Sequence, residues 1–208
     1  MTDGVMIRPG GRSARVRDAV LCTTGDLLAE RGFDALDLAE VARRAGVGRT
    51  TVYRRWGTAT RLVGDLLVTM AEESLPRADH GSITEDLRAN AHLVRSTLAD
   101  PRQGRLFRAL IAAASCDQDT ADALHRFYAT RVEEWMPCVT DAVGRGELPE
   151  GTDARQVVQA VSAPLYYAFL VSGDPLTVEL ADRAADAAIS AARAGVYPGP
   201  RPLRSSVL

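Results

Sequence analysis

The apolar residues of this chain recur at intervals of three and four along nearly every segment long enough to form a secondary-structure element. That spacing places them on one side of an α-helix, whereas a half-buried strand requires alternation at every second residue. Val16, Val20, Thr23 and Leu27 illustrate the helical spacing. We find no segment with strand periodicity and no internal repeat, so the sequence predicts an all-α fold.

Glycine, proline and capping residues mark where the predicted helices begin and end. Gly32 stops the first helix, Asp37 is the expected N-cap of the second, and Thr58 can cap the fourth. Residues 1–11 are expected to form a disordered arm, and the proline-containing tail 196–208 is expected to be frayed. The predicted helices cover residues 12–32, 38–45, 49–56, 58–74, 83–99, 103–116, 120–143, 153–172 and 175–194.

Charge is distributed unevenly between the N-terminal third and the rest of the chain. Residues 8–61 contain 11 Arg and 6 acidic residues, and residues 62–208 contain 14 Arg and 20 acidic residues, although the net charge is only −2. A local excess of positive charge is what binding to the phosphates of a nucleic acid requires. The charge pattern therefore predicts that DNA binds near the N-terminus and not to the acidic remainder.

Residues 37–56 have the pattern of a helix-turn-helix, since two short helices flank the turn at residues 46–48 and the second helix is basic. In this motif the second helix enters the major groove and presents its N-terminal side chains to base edges. Val52 and Trp56 would face the core. A short helical hairpin with a solvated charged face is the alternative that this geometry leaves open. The residues that the second helix would offer to DNA are Arg49, Thr50, Thr51, Arg54 and Arg55.

The residues themselves favour DNA binding. Residues 38–56, LAEVARRAGVGRTTVYRRW, resemble the signature of the TetR/AcrR regulators, which typically read A-x-x-A-G-V-S-x-x-x-[LIV]-Y-x-[HYR]-[FW] at this place. The preceding LLAERGF at 27–33 is similar to the first helix of that family, and residues 62–67 are similar to its fourth. The resemblance covers residues 14–74. It implies a three-helix helix-turn-helix DNA-binding domain over residues 12–74, followed by a helical ligand-binding and dimerisation domain over residues 75–195.

The resemblance also implies individual contacts to DNA. The Tyr53 hydroxyl would bind a phosphate, and the backbone N–H of Thr58, at a helix N-terminus, would bind another. The chain departs from the family at two positions. Ala59 stands where Lys usually contacts a phosphate, and Arg61 lies nearby as a substitute. Gly48 stands where Ser is usual. The remaining implied contacts, in the groove or along the flanking backbone, belong to Arg43, Arg44, Arg49, Thr51, Arg54 and Arg55.

The last two predicted long helices are candidates for a homodimer interface. Residues 163–167, APLYY, and residues 172–176, SGDPL, resemble the G-P-[LI]-Y-Y…T-G-x-P-L pattern of many sensor domains in this family, whose last two helices pair with those of a partner. Independently, the first of these helices is apolar over more than one face and the second is rich in Ala. A purely intrachain core is the alternative. The candidate interface residues are Val158, Val161, Leu165, Phe169, Ala184 and Ala188.

Aromatic and polar residues in the C-terminal part are candidates for lining a pocket for a small, mostly apolar molecule. Pro137 and Pro164 lie inside predicted helices, where kinks can open space. The alternative is that these aromatic residues only fill the core. The candidates are His92, Phe107, Ile111, Phe127, Tyr128, Trp135 and Tyr166.

Other classes of protein find little support. Three scattered cysteines and three isolated histidines form no metal-ligand spacing, and no nucleophile or phosphate-loop motif is present. We therefore expect no metal, no cofactor and no enzymatic activity. Without a signal peptide or membrane span, a cytoplasmic location is expected. The predicted function is a homodimeric repressor that binds a palindromic operator in double-stranded DNA and is released by a small-molecule effector. A transcriptional activator, an all-α enzyme and a DNA-binding protein without a sensor are the alternatives.

Overall fold

The structure of the chain, a computed structural model, describes residues 11–73 and 77–199, without the side chain of Arg12. The arm predicted at residues 1–11 lies outside this range except for Gly11. Within the described ranges, all regular structure is helical apart from one isolated bridge between Thr152 and Pro198. The predicted all-α fold is confirmed.

The helix boundaries agree with the sequence prediction to within a few residues. The largest difference is at the last helix, which begins at Val178 because the Thr177 side chain accepts a hydrogen bond from the Leu180 N–H at 3.2 Å. The α-helices are α1 Arg12–Arg31, α2 Leu38–Arg44, α3 Arg49–Arg55, α4 Ala59–Glu72, α5 Ile83–Ala99, α6 Pro101–Ala114, α7 Gln118–Gly144, α8 Ala154–Tyr167 and α9 Val178–Arg193, and a π-helical turn, Ala168–Ser172, continues α8.

The predicted caps form as expected. The Asp37 carboxylate accepts hydrogen bonds from the N–H groups of Ala39 at 3.2 Å and Glu40 at 3.3 Å, which satisfies two free donors at the start of α2. The Thr58 hydroxyl accepts from the Arg61 N–H at 3.2 Å and caps α4 in the same way. These local hydrogen bonds fix where the helices on either side of α3 begin.

The chain divides into two compact units. The first contains the chain up to Glu72 together with Arg105–His125, and the second contains Glu73–Gly104 together with the chain from Arg126 onward. This division differs from the continuous boundary expected near residue 75. Residues 105–125 join the first unit, where the Arg105 guanidinium donates to the Ala29 carbonyl at 3.2 Å.

The core of the first unit lies between α1, α2, α3 and α4. Its side chains are those that the helical spacing placed on the inner faces, and burial of such apolar surface is the main source of folding free energy. The buried residues include Val20, Leu27, Leu28, Val41, Val52, Leu62, Val63 and Leu67.

In the second unit α5, α8 and α9 pack against one another. Charged pairs border the α5–α9 contact: Arg88 donates to both oxygens of Asp186, at 3.0 and 2.9 Å, and His92 Nε2 lies 2.9 Å from Asp182. The small side chains of α9 let the helices approach closely. The core includes Ile83, Leu87, Ala91, Val157, Val161, Leu165, Ala181, Ala185, Ala188 and Ile189.

The first part of the C-terminal tail is not frayed, in contrast to the expectation from its prolines. The Gly199 N–H donates to the Gly151 carbonyl at 2.7 Å, and the Asp153 N–H donates to the Tyr197 carbonyl at 2.9 Å. These hydrogen bonds tie residues 197–199 to the turn before α8. The rest of the predicted tail lies outside the described residues. No described helix is both long enough and apolar enough to cross a membrane.

Candidate nucleic-acid interface

A tight turn sets α2 and α3 at their mutual orientation. Gly46 has a φ of 65°, a left-handed conformation that glycine adopts without strain, and the Val47 N–H returns to the Ala42 carbonyl at 3.0 Å. Val41 of α2 and Val52 of α3 are fully buried on the inner side of the turn. The opposite side of α3 is therefore the surface that the pair of helices presents outward.

The outward surface of α3 is basic and unpaired. Arg49 lies over the ring of Tyr53, 5.3 Å from its centre, and Arg55 lies 5.1 Å from the ring centre of Trp56. Neither of these two arginines, nor Arg54, forms an ion pair with a carboxylate of the described chain. Their guanidinium N–H groups are therefore available to donate hydrogen bonds to a phosphate or to a guanine.

A groove borders this surface on the side of α1. It has a volume of about 750 Å³ and is an open concavity of the first unit. Sequence reasoning missed the contribution of α1, whose Ser13 and Val16 lie one turn apart at the start of that helix. The groove is lined by Ser13, Val16, Gly46, Val47, Gly48, Thr51, Arg54 and Arg55.

Gly48 occupies the N-cap position of α3 without a side-chain hydrogen bond. A Cβ at this position would meet only the Thr51 hydroxyl, at 3.7 Å, so space does not require glycine here. Thr50 is exposed and Thr51 is half-buried at the same end of the helix. The N-terminal turn of α3 is thus open to a ligand approaching along the groove.

Arg43 and Arg44, which the resemblance implied as flanking DNA contacts, are engaged within the chain. The Glu40 carboxylate accepts from Arg43 at 2.7 and 2.8 Å and from Arg44 at 3.0 Å, and Arg44 also donates to Glu30 of α1 at 2.8 Å. Hydrogen bonds from these two arginines lower the pKa of Glu40 to about 2. Arg44 thereby joins α2 to α1, while Arg43 remains largely exposed.

One carboxylate joins three helices behind the basic surface. Asp65 of α4 accepts from Arg17 of α1, at 2.6 Å to Oδ1 and 3.2 Å to Oδ2, and from the indole N–H of Trp56 at 2.9 Å. Burial opposes ionisation of Asp65, but the hydrogen bonds from Arg17 and Trp56 and the charges of Arg17 and Arg55 outweigh it and lower its pKa. Sequence reasoning missed this cluster, because its members are separated by nine and 48 residues.

The seven candidate pocket residues are not brought together in one unit. Phe107 and Ile111 belong to the first unit, and the other five belong to the second. His92 pairs with Asp182 at a partly exposed edge of α5 and α9.

Tyr128, Tyr166 and Trp135 form the aromatic part of the second unit. The rings of Tyr128 and Tyr166 meet edge to face with centroids 5.5 Å apart, and Phe127 meets Tyr128 similarly at 5.2 Å. Burial raises the pKa of Tyr166 to about 12 and raises that of Tyr128 further. Trp135 is only 3% exposed, and its indole N–H has no hydrogen-bond partner among the described residues.

The six residues predicted to form the dimer interface are core residues of the single chain. Their exposed fractions are 0–5% in the single chain, because their own unit covers them, and a place for them at a dimer interface stays a prediction. Helical spacing showed that α8 is apolar on more than one side and that α9 is rich in Ala, but not which side their own unit covers. These residues are Val158, Val161, Leu165, Phe169, Ala184 and Ala188.

Other apolar side chains at the end of α8 are exposed instead. Tyr167 is 61% exposed and Val171 is 68% exposed, with Leu170 and Val178 also exposed beside them in sequence. An adjoining open groove of about 680 Å³ is lined by Tyr167 and by residues of the turn that leads to α9. We call Tyr167, Leu170, Val171 and Val178 the exposed apolar patch. Large exposed apolar side chains in sequence proximity are typical of interaction surfaces.

No group of three or more His, Cys, Asp or Glu side chains in the described ranges could hold a metal ion. Cys22 and Cys116 are exposed, Cys138 is buried, and all three are free thiols. Burial raises the pKa of the Cys138 thiol to about 12, which keeps it protonated and unreactive near neutral pH.

A basic surface without carboxylate partners on the second helix of a helix-turn-helix is the surface with which such proteins bind DNA. The fold and this surface therefore define the class of helix-turn-helix DNA-binding proteins. Residues 21–65 match the family of bacterial regulatory proteins named for TetR, and residues 77–188 match the tetracyclin repressor-like C-terminal domain. The chain therefore belongs to the TetR family of transcription regulators. These are DNA-binding proteins without enzymatic activity.

Known proteins resemble the chain over most of its length. It is 34% identical to the regulator AqdR of Rhodococcus erythropolis, over 71% of this chain and 70% of AqdR. It is 29% identical to the DNA-binding transcriptional repressor TetR of Mycobacteroides abscessus, over 76% of this chain and 83% of that protein. These matches, over 148 and 163 residues, extend beyond the helix-turn-helix domain.

Solved structures share the fold. The TetR-family regulator SCO0332 is 25% identical with a TM-score of 0.68, covering 85% of this chain and 97% of that one. SmeT, solved as a complex with triclosan, is 20% identical with a TM-score of 0.63, covering 91% of this chain and 99% of SmeT. The all-α arrangement of this chain is thus that of the family.

Proposed function

We propose that the protein is a homodimeric repressor that binds a palindromic operator in double-stranded DNA and is released from it by a small molecule. The observation that carries the proposal is the unpaired basic face of α3 beside the groove of the first unit. Arg49 and Thr51 would face base edges, while Tyr53, Arg54, Arg55 and the N-terminus of α4 at Thr58 would contact phosphates.

The engagement of Arg43 and Arg44 with carboxylates refines this assignment. Arg43, which is 70% exposed, can turn from Glu40 toward a phosphate at little cost, because surface ion pairs are weak. Arg44 would give up two partners, Glu30 and Glu40, to do the same. We therefore keep Arg43 as a flanking contact and assign Arg44 mainly to holding α2 on α1.

A second copy of the chain is the proposed occupant of the exposed apolar patch. A palindromic operator requires a two-fold dimer whose two copies of α3 lie about 34–36 Å apart, the spacing of one duplex turn. The Tyr167 ring and the Val171 side chain are the most exposed apolar groups of the patch, so they are the natural anchors.

The proposed effector binds in the second unit beside Tyr128, Tyr166 and Trp135. A buried N–H or hydroxyl without a partner destabilises a fold unless something accepts its hydrogen bond. The Trp135 indole N–H supports an effector that combines an apolar body with a hydrogen-bond acceptor. A structural relative with this fold, SmeT, binds triclosan.

Repression is proposed because the similar protein of Mycobacteroides abscessus is a repressor. A dimer that covers an operator overlapping a promoter excludes polymerase by steric occlusion, and an activator would instead bind beside the promoter. The proposed place of action is the cytoplasm, where chromosomal DNA is accessible to a bacterial regulator. For a ligand to release the dimer, it must bind the DNA-incompetent conformation more tightly.

The test is selection of binding sites from random duplex DNA with the purified chain, followed by a salt titration on the selected sequence. A palindromic product whose affinity falls steeply with salt supports the proposal. Enrichment of no sequence at low salt would refute sequence-specific operator binding by the free chain.

The oligomeric state is tested separately by sedimentation of Val171→Arg. We expect this variant to sediment as a monomer and to lose affinity for the full palindrome. Val196→Arg is the matched control, since Val196 is also exposed in the second unit but does not belong to the patch. A wild-type chain that sediments as a monomer at all concentrations would contradict the dimer.

A further inference from the structure

Trp56 lies at the C-terminal end of α3, and its indole N–H donates a hydrogen bond to one acceptor. The Asp65 Oδ2 atom accepts this N–H at 2.9 Å, and Trp56 itself is only 4% exposed. The indole can therefore not rotate without breaking the hydrogen bond inside a packed core. Because Trp56 caps the C-terminal end of α3, its position sets where that end of the helix lies.

The same carboxylate is itself held in place from the opposite side. Arg17 of α1 binds Asp65 through two nitrogens, Nη2 at 2.6 Å and Nε at 3.2 Å. A bidentate guanidinium–carboxylate pair fixes orientation as well as distance. Both partners are partly buried, at 22% and 26% side-chain exposure, so solvent screens this pair less than one on the open surface.

The outward side of α3 is coupled to this cluster through neighbouring residues. Arg55 lies over the Trp56 ring at 5.1 Å, and its charge is close enough to Asp65 to influence that carboxyl. One turn earlier, Tyr53 carries the stacked Arg49. A change in the angle of Trp56 therefore moves the groups that are aimed at DNA.

We propose that Asp65 is a positioning residue for operator reading: it holds Trp56 from α4 and Arg17 from α1, and so fixes the angle at which α3 presents its side chains to base edges. This inference rests on the proposed function, since it concerns sequence-specific binding. It does not place Asp65 in contact with DNA. Any displacement of α4 at Asp65 is passed to α3 by the same hydrogen bond.

A positioning role of Asp65 and a merely structural role predict different changes in DNA affinity when its hydrogen bond is lost. Direct readout requires base-edge contacts to be accurately placed, whereas non-specific binding depends on charge near phosphates. Loss of the Asp65 hydrogen bond should therefore lower the ratio of operator affinity to affinity for an unrelated duplex. Loss of stability alone leaves that ratio unchanged when every variant is measured well below its melting temperature.

The experiment uses the full chain and the operator selected as above. Asp65→Asn keeps the size of the side chain and removes its charge, and Trp56→Phe keeps a ring and removes the N–H. Asp34→Asn is the control, since it makes the same substitution at an exposed position of the first unit. The measured quantity is the ratio of the two dissociation constants at one salt concentration.

We expect Asp65→Asn and Trp56→Phe each to lower the ratio at least about tenfold, out of the roughly 10³–10⁷ that separates specific from non-specific binding. The loss in the double variant should be smaller than the sum of the two single losses, because Asp65→Asn weakens the acceptor of the same hydrogen bond whose donor Trp56→Phe removes. Asp34→Asn should leave the ratio unchanged. Should Asp65→Asn fail to fold, Trp56→Phe carries the test alone.

Unchanged ratios in the variants, or additive losses in the double variant, would overturn the proposal. A wild-type chain that selects no DNA sequence would instead refute the proposed function. The two failures are thereby distinguishable.

Discussion

The guanidinium group of Arg49 lies 5.3 Å from the centre of the Tyr53 ring, one helical turn further along α3. A cation over an aromatic face is held by the quadrupole of the ring, so the stacking restricts the Arg49 side chain before DNA arrives. Less conformational entropy is then lost when the arginine binds a base. The pair joins a candidate base-reading residue to a candidate phosphate-binding residue.

Arg49→Ala is expected to relax the preference for one base pair of the operator half-site by about 1–3 kcal/mol, because a bidentate arginine–guanine contact is lost. Preference at the other positions should be retained. Measurement of affinity for a set of single-base operator variants checks this. Arg193→Ala, an exposed arginine in the last turn of α9, is the control. An equal loss of affinity for every operator variant would instead indicate that Arg49 contacts a phosphate.

Tyr53→Phe is expected to keep the stacking with Arg49 and to lose the hydroxyl contact to a phosphate. Affinity should fall on all duplexes alike, by on the order of 1.5–3 kcal/mol for a hydrogen bond to a charged group. Tyr53→Ala should additionally relax base preference at the position read by Arg49. The same set of operator variants measures both effects, and a sequence-dependent loss in Tyr53→Phe would contradict the assignment.

Glu40 predicts a specific acid dependence of stability. Its pKa is about 2 in the folded chain, against an ordinary value of 4.5, because Arg43 and Arg44 donate to the ionised carboxylate. Because the pKa of Glu40 is lower in the folded chain than its ordinary value, the ionised carboxylate stabilises the fold in full above pH 4.5. This stabilisation is lost as the pH falls toward 2 and Glu40 becomes protonated.

The melting temperature of Glu40→Gln should therefore lie below that of the wild-type chain at neutral pH, and the gap should close on acidification through this range. High salt should narrow the gap, since the pairs are exposed. Glu150→Gln, at an exposed loop position, should show no such gap. A gap that is independent of pH would show that the ion pairs do not cause it.

Gly104 is predicted to be sterically required. A Cβ at this position of α6 would lie 2.6 Å from the Leu98 carbonyl oxygen and 3.5 Å from the Phe169 ring. Gly104→Ala should lower the free energy of unfolding by about 1–3 kcal/mol, as overpacking does. In Gly144→Ala the added methyl meets nothing within 4 Å, so urea denaturation should give a value equal to wild type or up to about 1 kcal/mol higher. Similar stability of the two variants would exclude the steric argument.

The prediction of the dimer interface shows what the helical spacing of apolar residues can and cannot establish. It identified α8 as apolar over more than one face, and the structure confirms that its Val161 and Leu165 are fully buried. Periodicity could not say which face belongs to the chain itself, because apolar side chains are equally suited to an internal core and to a partner. Only the packed structure distinguishes the buried Leu165 from the exposed Tyr167 two residues later.

The amino-acid sequence by itself determined the helices, their caps and the helix-turn-helix, because each depends on contacts within about four residues. The Asp37 cap and the Gly46 turn are examples. Tertiary structure decided the rest. It grouped residues 105–125 with the N-terminal helices and placed Arg17 and Trp56 on the same carboxylate. Such contacts join residues far apart in the chain, and they exist only after burial of apolar surface has fixed the helices against one another.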